Sequence, residues 1–322
     1  MTQKKNTVLI SLTGGLGNQL FQLAAGLNHA EKGKLCLVTT LGAPRKSLAG
    51  KAELLSFALP ERVEVLRNKQ ANWIIRKTAG FMLRKGVAPS LLERNKLFTL
   101  ISSLLANLFM ALHFRQRIVV TASSGVGYAP IRMTKSNTLL LGYYQSYHWA
   151  ENFKVKRELS SIAYLKDTKI IEQYALESKT ELPLVVHVRL GDYLSEKNFG
   201  IPSKDYYRKG ISRVLRTGKC NSIWLFSDEL EKAQTYIPDD ISIPVRLISE
   251  IDESPAATLE VMRLGAGYVI ANSTFSWWAA YLRKNEDAEI IAPTPWFSTM
   301  PEPVDLIPIN WQRINSGFTD IY

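Results

Sequence analysis

The sequence predicts an α/β protein of two domains whose sheets are parallel and doubly wound. Three observations carry that prediction. The chain opens with a strand, a glycine turn and a helix; its second half alternates short apolar strands with helical segments; and several of those strands hand polar residues to one rim. At 322 residues, with 46% hydrophobic and 21% charged residues, the chain suits one large or two ordinary soluble domains.

Asn6 to Leu12 is an apolar strand, Thr13 to Gly17 a tight turn, and Asn18 to Ala30 a helix with Leu20, Phe21, Leu23, Ala24 and Leu27 at helical spacing. The opening suggests dinucleotide binding, but Leu20 stands where the third glycine of that fingerprint belongs. The next strand, Leu35 to Val38, ends in Thr39-Thr40 with no acidic ribose ligand. A nicotinamide enzyme is therefore not expected. The turn is either structural or presents its N–H groups and the Asn18 and Gln19 amides to a cleft.

From Glu61 to Arg117 there are eleven Lys and Arg against three acids, interleaved with Trp73, Phe81 and aliphatic residues. Within this insert Leu97 to Phe114 has no charge and is flanked by Arg94 and Lys96 on one side and Arg115 and Arg117 on the other. That length is at the lower edge of a membrane span, and its serines, Asn107 and His113 dilute it. The readings are a helix lying on an anionic membrane face or a plain core helix with solvated basic neighbours.

The formal charge of +11 implies an anionic partner. With no zinc spacing and no RNA-binding signature, nucleic acid is not expected. Cys36 and Cys220 offer neither a disulfide framework nor metal spacing, so a reducing compartment is expected. The apolar run at Val8 to Leu12 is too short for a signal peptide, so no secretion is expected.

Thr138 to Gly142 is a further strand leading into the aromatic-rich Tyr143 to Trp149, suited to a sugar, to an interdomain cleft or to a packed hinge. The domain boundary is expected near Ala150. The first domain then covers 1–150 with its insert at 61–117, the second covers 151–292, and 293–322, rich in proline, forms an extended tail returning to the first domain. In the second domain Val185 to Val188, Ile223 to Phe226, Val245 to Ile248 and Tyr268 to Ala271 read as strands. Asp205 to Arg216, Thr258 to Leu264 and Trp277 to Arg283 read as helices.

The strand ends carry the chemistry. Arg189 can bind phosphate with two parallel N–H bonds, and the turn Asn272, Ser273, Thr274, Ser276 offers hydroxyls and helix N-terminal N–H groups. Together they describe a diphosphate pocket. Asp228 and Glu250 are placed to hydrogen-bond a base or ribose, or to cap helices. Asp192 is the candidate general base, with His187 and the other rim acids as rivals. There is no Asp-x-Asp pair and Asp239-Asp240 follows a proline in a turn, so no metal is expected.

Five blocks, Gly14-Gly-Leu-Gly-Asn-Gln-Leu-Phe21, Gly142-Tyr-Tyr-Gln-Ser146, His187-Val-Arg-Leu-Gly-Asp-Tyr193, Phe226-Ser-Asp228 and Asn272 to Leu282, occur in the order found in bacterial α-1,2-fucosyltransferases, glycosyltransferase family 11. The resemblance runs from about Val8 to Phe297 and is weakest over 61–117. It implies a GT-B type fold, two Rossmann-like domains facing a cleft, with GDP-L-fucose as donor, no cofactor or essential metal, and inversion at the fucose carbon. It further implies that Arg189 holds the GDP phosphates, that Asp192 is in or beside the catalytic centre, and that Ser273 and Thr274 line the donor pocket. Asn18, Gln19 and Gln145 are implied to face the acceptor, a galactose-containing glycan of O-antigen type that can be lipid-linked. The resemblance also implies work from the cytoplasm, with which a peripheral site on the inner membrane face is consistent.

Many relatives have a second arginine where this chain has Leu190. That departure raises the expectation that Lys197, Lys204 or Arg208 supplies charge instead. The competing readings are the same fold with another nucleotide-sugar donor, or a catalytically weak, membrane-associated glycan-binding protein.

Overall fold

The computed structural model describes residues 7–30, 34–39, 52–66, 101, 104, 105, 108, 112, 116–120, 137–166, 168–194, 198–300, 302 and 305–318. The chain divides into two compact units, Met1–Ala163 with Val304–Leu306, and Tyr164–Pro303 with Ile307–Tyr322. The boundary thus falls after Ala163, beyond the expected Ala150. Most of the basic insert, Lys197 and the Cys36 side chain lie outside the described residues.

Unit 1 is built on a five-stranded sheet. Its elements are β1 (Thr7–Leu12), α1 (Leu16–His29), β2 (Lys34–Thr39), β3 (Val63–Leu66), β4 (Gln116–Val120), β5 (Asn137–Leu141) and α2 (Phe153–Ser160). The strand order is β3-β2-β1-β5-β4 and every pairing is parallel. Both faces of such a sheet are covered, so Ile10, Leu35, Leu37 and Leu139 to Leu141 are fully buried. In α1, Leu16, Leu20, Leu23 and Leu27 form one stripe, while Phe21, Ala24 and Ala25 bury the flanks. Each such side chain contributes about 1.5–3 kcal/mol of transfer energy for the larger residues.

Arg62 ends this helix. It grips both oxygens of Glu158 in α2 at 2.7 and 2.6 Å and donates to the carbonyls of Ala30 and Leu27 at 2.5 and 3.1 Å, satisfying acceptors that a helix terminus leaves open.

Unit 2 holds a six-stranded parallel sheet. In chain order it comprises α3 (Lys169–Glu181), β6 (Pro183–Val188), α4 (Lys204–Leu215), β7 (Ser222–Ser227), β8 (Val245–Ile248), α5 (Pro255–Met262), β9 (Gly267–Val269), α6 (Thr274–Tyr281), β10 (Glu289–Thr294) and β11 (Gln312–Asn315). The order is β8-β7-β6-β9-β10-β11. Of the stretch expected as a returning tail, 293–322, Val304–Leu306 belong to unit 1, while its first two residues end β10 and Gln312–Asn315 form β11, the two strands pairing from Ile291↔Gln312 to Thr294↔Asn315. Pro293 is accommodated there, although its ring removes one N–H from the ladder.

All six residues of β6 are buried, as a central parallel strand requires. Leu184, Val186, Val188 and Leu190 enter one cluster with Tyr206, Tyr207, Ile211 and Val214 of α4. The two tyrosines keep their hydroxyls satisfied inside the core: Tyr206 donates to the Ile270 carbonyl at 2.6 Å and Tyr207 to that of His187 at 3.1 Å. Cys220 is buried and free, and burial pushes its thiol up to about 11.

Candidate active site

A doubly wound sheet places ligands where the chain's direction of winding reverses. In unit 2 the chain starts at β6, winds outward through β7 and β8, then crosses back to β9, β10 and β11. The reversal therefore lies between β6 and β9. Val186 is level with Val269, and His187 and Val188 are level with Phe226 and Ser227. Continuing those registers puts Arg189 between Asp228 on one side and Asn272 on the other.

Side chains along a strand alternate faces, and Leu190 in the α4 cluster shows that the alternation persists past the end of β6. Arg189 consequently shares a face with His187. The His187 ring lies 6.1 Å from Phe275, in the first turn of α6, so Arg189 emerges on the face where that helix begins.

Two carboxylates hold the Arg189 guanidinium. Nε donates to Asp192 Oδ1 at 3.0 Å, Nη2 stands 2.9 Å from the same oxygen, and Nε lies 3.3 Å from Asp228 Oδ2. Burial works against the charge, but Asp228 and Asp192 outweigh it and hold the guanidinium above its ordinary range. Its plane is further steadied by the Tyr193 ring at 5.9 Å, and the Tyr193 hydroxyl donates to the Asn272 carbonyl at 3.1 Å. That bond ties the Arg189 turn to the turn before α6.

The two carboxylates differ in their freedom. Asp228 is 24% exposed, and its Oδ1 also accepts the Leu190 N–H at 3.0 Å. Gly191 is required beside it, because a Cβ there would run into the Asp228 carboxylate. Asp192 is 59% exposed and begins a single 3-10 turn. Asp228 is thus built into the scaffold, and Asp192 is the carboxylate that solvent and ligand can reach.

The remaining residues expected at this rim separate into three groups. Ser273 caps α6, its hydroxyl accepting the Phe275 N–H at 3.3 Å, while Thr274 opens the helix half-buried. Asn272 and Ser276 are structural: the Asn272 amide donates to the carbonyls of Phe199, Gly200 and Trp296 at 2.9 to 3.1 Å, and the fully buried Ser276 donates to Ser273 and Ala271 carbonyls. Asn272 Oδ1 is buried without a partner among the described residues. Glu250, exposed after edge strand β8, lies two strands away from β6.

His187 does not fit the role of a base. It is 4% exposed, its Nδ1 has no partner among the described residues, and burial, with the Arg189 charge second, pushes its imidazole down to about 3. A group that resists protonation so strongly is a poor proton acceptor. Leu190 also departs from expectation, because its side chain is 3% exposed and packs under α4 instead of marking a gap in the anion site. Arg208 pairs with Asp205, and Lys204 Nζ sits 5.7 Å from the Tyr236 ring centre, so both expected substitutes are engaged on α4.

Unit 1 has its own reversal, between β1 and β5. Gly14 there has φ 74, a backbone that glycine adopts without strain, and α1 starts two residues later. Gln19, expected to face an acceptor, is instead 1% exposed: its amide donates to the Gly14 carbonyl at 2.9 Å and accepts the Leu54 N–H at 3.0 Å. Gln22, unnoticed in the sequence, donates to the Thr13 and Gly142 carbonyls at 3.2 and 2.9 Å and accepts the Thr13 N–H at 3.0 Å. Asn18 remains half-buried at the rim, accepting from Gln145 Nε2 at 2.7 Å.

Two doubly wound α/β units, the second with a guanidinium and a capped helix start at its point of reversal, have the two-Rossmann-domain architecture of the GT-B type. The Glycosyl transferase family 11 profile matches residues 104–315, more than half of the chain, and the chain belongs to that family. It is 25% identical over 325 aligned residues to an alpha-1,2-colitosyltransferase of Escherichia coli, covering 95% of this chain and 98% of that protein. It is 29% identical over 150 residues to the O-antigen biosynthesis glycosyltransferase WbnK of Escherichia coli, covering 45% and 48%. Among solved structures, NodZ alpha-1,6-fucosyltransferase co-crystallized with GDP overlaps with a TM-score of 0.47 at 14% identity, covering 87% of this chain and 93% of that one. The ADP-heptose LPS heptosyltransferase II of E. coli overlaps with a TM-score of 0.45 at 11% identity, covering 96% and 90%.

Proposed function

We propose that this family 11 glycosyltransferase moves L-fucose from GDP-L-fucose to the 2-hydroxyl of a terminal galactose, with inversion at the fucose anomeric carbon. The observation that carries the reading is the Arg189 guanidinium, held by Asp228 and Asp192 on the same face of β6 as the start of α6. The order of the five sequence blocks supports the choice of donor, and the α-1,2 linkage in the name of the colitosyl relative supports the linkage.

The chemistry follows from where charge develops. As the bond between the fucose anomeric carbon and the GDP oxygen breaks, negative charge grows on the terminal phosphate, where Arg189 and the positive end of α6 neutralise it. The Ser273 and Thr274 hydroxyls contribute hydrogen bonds. The acceptor oxygen forms the new bond from the opposite face of the sugar and gives its proton to Asp192. Arriving phosphate competes with Asp192 for the guanidinium, which releases the exposed carboxylate to act as base. Asp228 stays on Arg189 throughout. Asn18 and Gln145 contact the acceptor. The cations are side chains, so added chelator leaves the rate unchanged.

The acceptor is a galactose-ended glycan of O-antigen type, lipid-linked and modified at the cytoplasmic face of the membrane. The name of the WbnK relative supports the O-antigen assignment.

A second donor has its own support, since the colitosyl relative aligns along 95% of this chain. Incubation with a panel of GDP- and UDP-sugars, nucleotide-linked colitose included, and a galactose-ended disaccharide separates the two. The expected result is a fucosylated product with a new 1,2 linkage by NMR; transfer from colitose and not from fucose would replace the proposed donor.

A further inference from the structure

The turn after β5 holds its backbone at a cost. Four non-glycine residues among those described have positive φ. Leu182 closes α3, a common place for a left-handed residue, and Asp252 and Glu253 are exposed after β8. Tyr144, at φ 54, is instead a fully buried aromatic residue, in a conformation that crowds its Cβ against the backbone. Glycine or asparagine would adopt the same bend more cheaply, so the ring must be what the turn needs.

That ring is an anchor. It packs edge-on to Trp149 with centroids 6.0 Å apart, and its hydroxyl donates to the Leu141 carbonyl at 3.2 Å. Both ends of the turn are tied as well: Gln22 donates to the Gly142 carbonyl at 2.9 Å, and Ser146 Oγ accepts the His148 N–H at 3.3 Å. The Ser146 N–H donates back to the Tyr144 carbonyl at 2.8 Å, which closes a three-residue turn with Gln145 at its apex.

The Gln145 amide makes no bond within this turn. It reaches α1, where Nε2 donates to Asn18 Oδ1 at 2.7 Å. A Cβ at Gly14 would lie 2.6 Å from Asn18 Nδ2, so the glycine leaves that amide its place. The single bond between the two amides leaves Gln145 Oε1 as an acceptor and Asn18 Nδ2 as a donor, neither with a partner among the described residues. A sugar hydroxyl, which both donates and accepts, suits such a pair.

We propose, resting on the reading that Asn18 and Gln145 contact the acceptor, that Tyr144 is a positioning residue for that acceptor. Burial of its ring holds the backbone left-handed, the bend aims the Gln145 amide at Asn18, and the two amides together grip galactose hydroxyls.

The test titrates the full chain with lactose, a galactose-ended disaccharide, at saturating GDP by saturation-transfer NMR, and measures GDP affinity by calorimetry. Gln145→Ala and Tyr144→Leu should each weaken lactose binding about tenfold while GDP affinity stays within about twofold of the parent's. Tyr144→Phe keeps the ring and should bind lactose as the parent does. A tyrosine that merely filled the core would lower the thermal midpoint and leave the lactose affinity of the folded protein unchanged. Gln145→Asn probes the aim with Tyr144 and its packing intact: the same amide, drawn back by one methylene, should also bind lactose about tenfold more weakly. Lactose that fails to bind the parent, or that binds Gln145→Ala as well as the parent, overturns the acceptor role of Gln145 and the proposal with it. Lactose binding that is lost in Gln145→Ala but kept in Tyr144→Leu or in Gln145→Asn, or is lost equally in Tyr144→Phe, overturns the proposal alone.

Discussion

The two units are both doubly wound parallel sheets, with strand orders β3-β2-β1-β5-β4 and β8-β7-β6-β9-β10-β11, and they use the place where their winding reverses in opposite ways. In unit 1 that place is filled by neutral amides whose hydrogen bonds are spent inside the protein: Gln19 and Gln22 together hold Thr13, Gly14, Leu54 and Gly142. In unit 2 it holds a guanidinium and two carboxylates, of which one is fixed and one exposed. Polar residues at a strand end thus mean scaffold in the first case and a charged site in the second. What separates them is how many of their bonds the fold itself consumes.

The largest expected effect is at the charged rim. Arg189→Ala should lower kcat/KM for transfer about a thousandfold, near 4 kcal/mol, with loss of GDP binding by calorimetry, because it removes the guanidinium that the two carboxylates hold at this rim. If GDP binding survives intact, the donor is not held at this rim and the contrast between the units fails.

Leu190→Arg asks which face that position occupies. A charge forced among Leu184, Val186 and Val188 should cost about 3 kcal/mol of stability in denaturant unfolding. Tighter GDP binding without destabilisation would put position 190 at the anion site instead.

Gln22→Ala should cost about 2 kcal/mol, since it strands the Thr13 N–H and two carbonyls. GDP affinity of the folded variant should not change. An unaltered midpoint of unfolding would mean that the amide is not a structural staple.

Taken per pH unit, the smallest effect is one of acid. His187 is held near 3 in the folded chain against an ordinary value of 6.5, so below 6.5 the unfolded chain takes up a proton that the folded chain refuses. Acid therefore favours unfolding through the window between 6.5 and about 3, by up to about 1.4 kcal/mol per pH unit. His187→Asn should flatten that part of the stability profile, measured by urea midpoints across the window. An unchanged slope would place the responsible proton elsewhere.

Much of this was legible in the sequence, for physical reasons that also explain the misses. Buried parallel strands advertise themselves as apolar runs between turn residues, as Ile223 to Phe226 does within β7. Strands β10 and β11 were missed because Pro293 and Pro295 argue against a ladder, whereas β10 pairs with β9 only from Glu289 to Ile291 and Pro293, beyond that stretch, pairs with β11 alone. Arg189 was legible because a charge after a buried strand has few structural uses. Gln19 was misplaced because an amide in a glycine turn looks the same in sequence whether it faces solvent or closes on the backbone 35 residues away at Leu54. Leu190 was weighed as a missing cation, although continuing the two-residue alternation beyond Val188 points it into the core. Asp228 in its holding role had no local signal at all, since the contact spans 38 residues to Leu190.

The central claim, that the rim of unit 2 holds the donor and the rim of unit 1 does not, is most directly tested by hydrogen exchange read by mass spectrometry with and without GDP. Protection is expected over 187–194 and 272–277, with Gly14 to Gln22 unchanged. Protection confined to Gly14 to Gln22, with no change at Arg189 and Ser273, would contradict it.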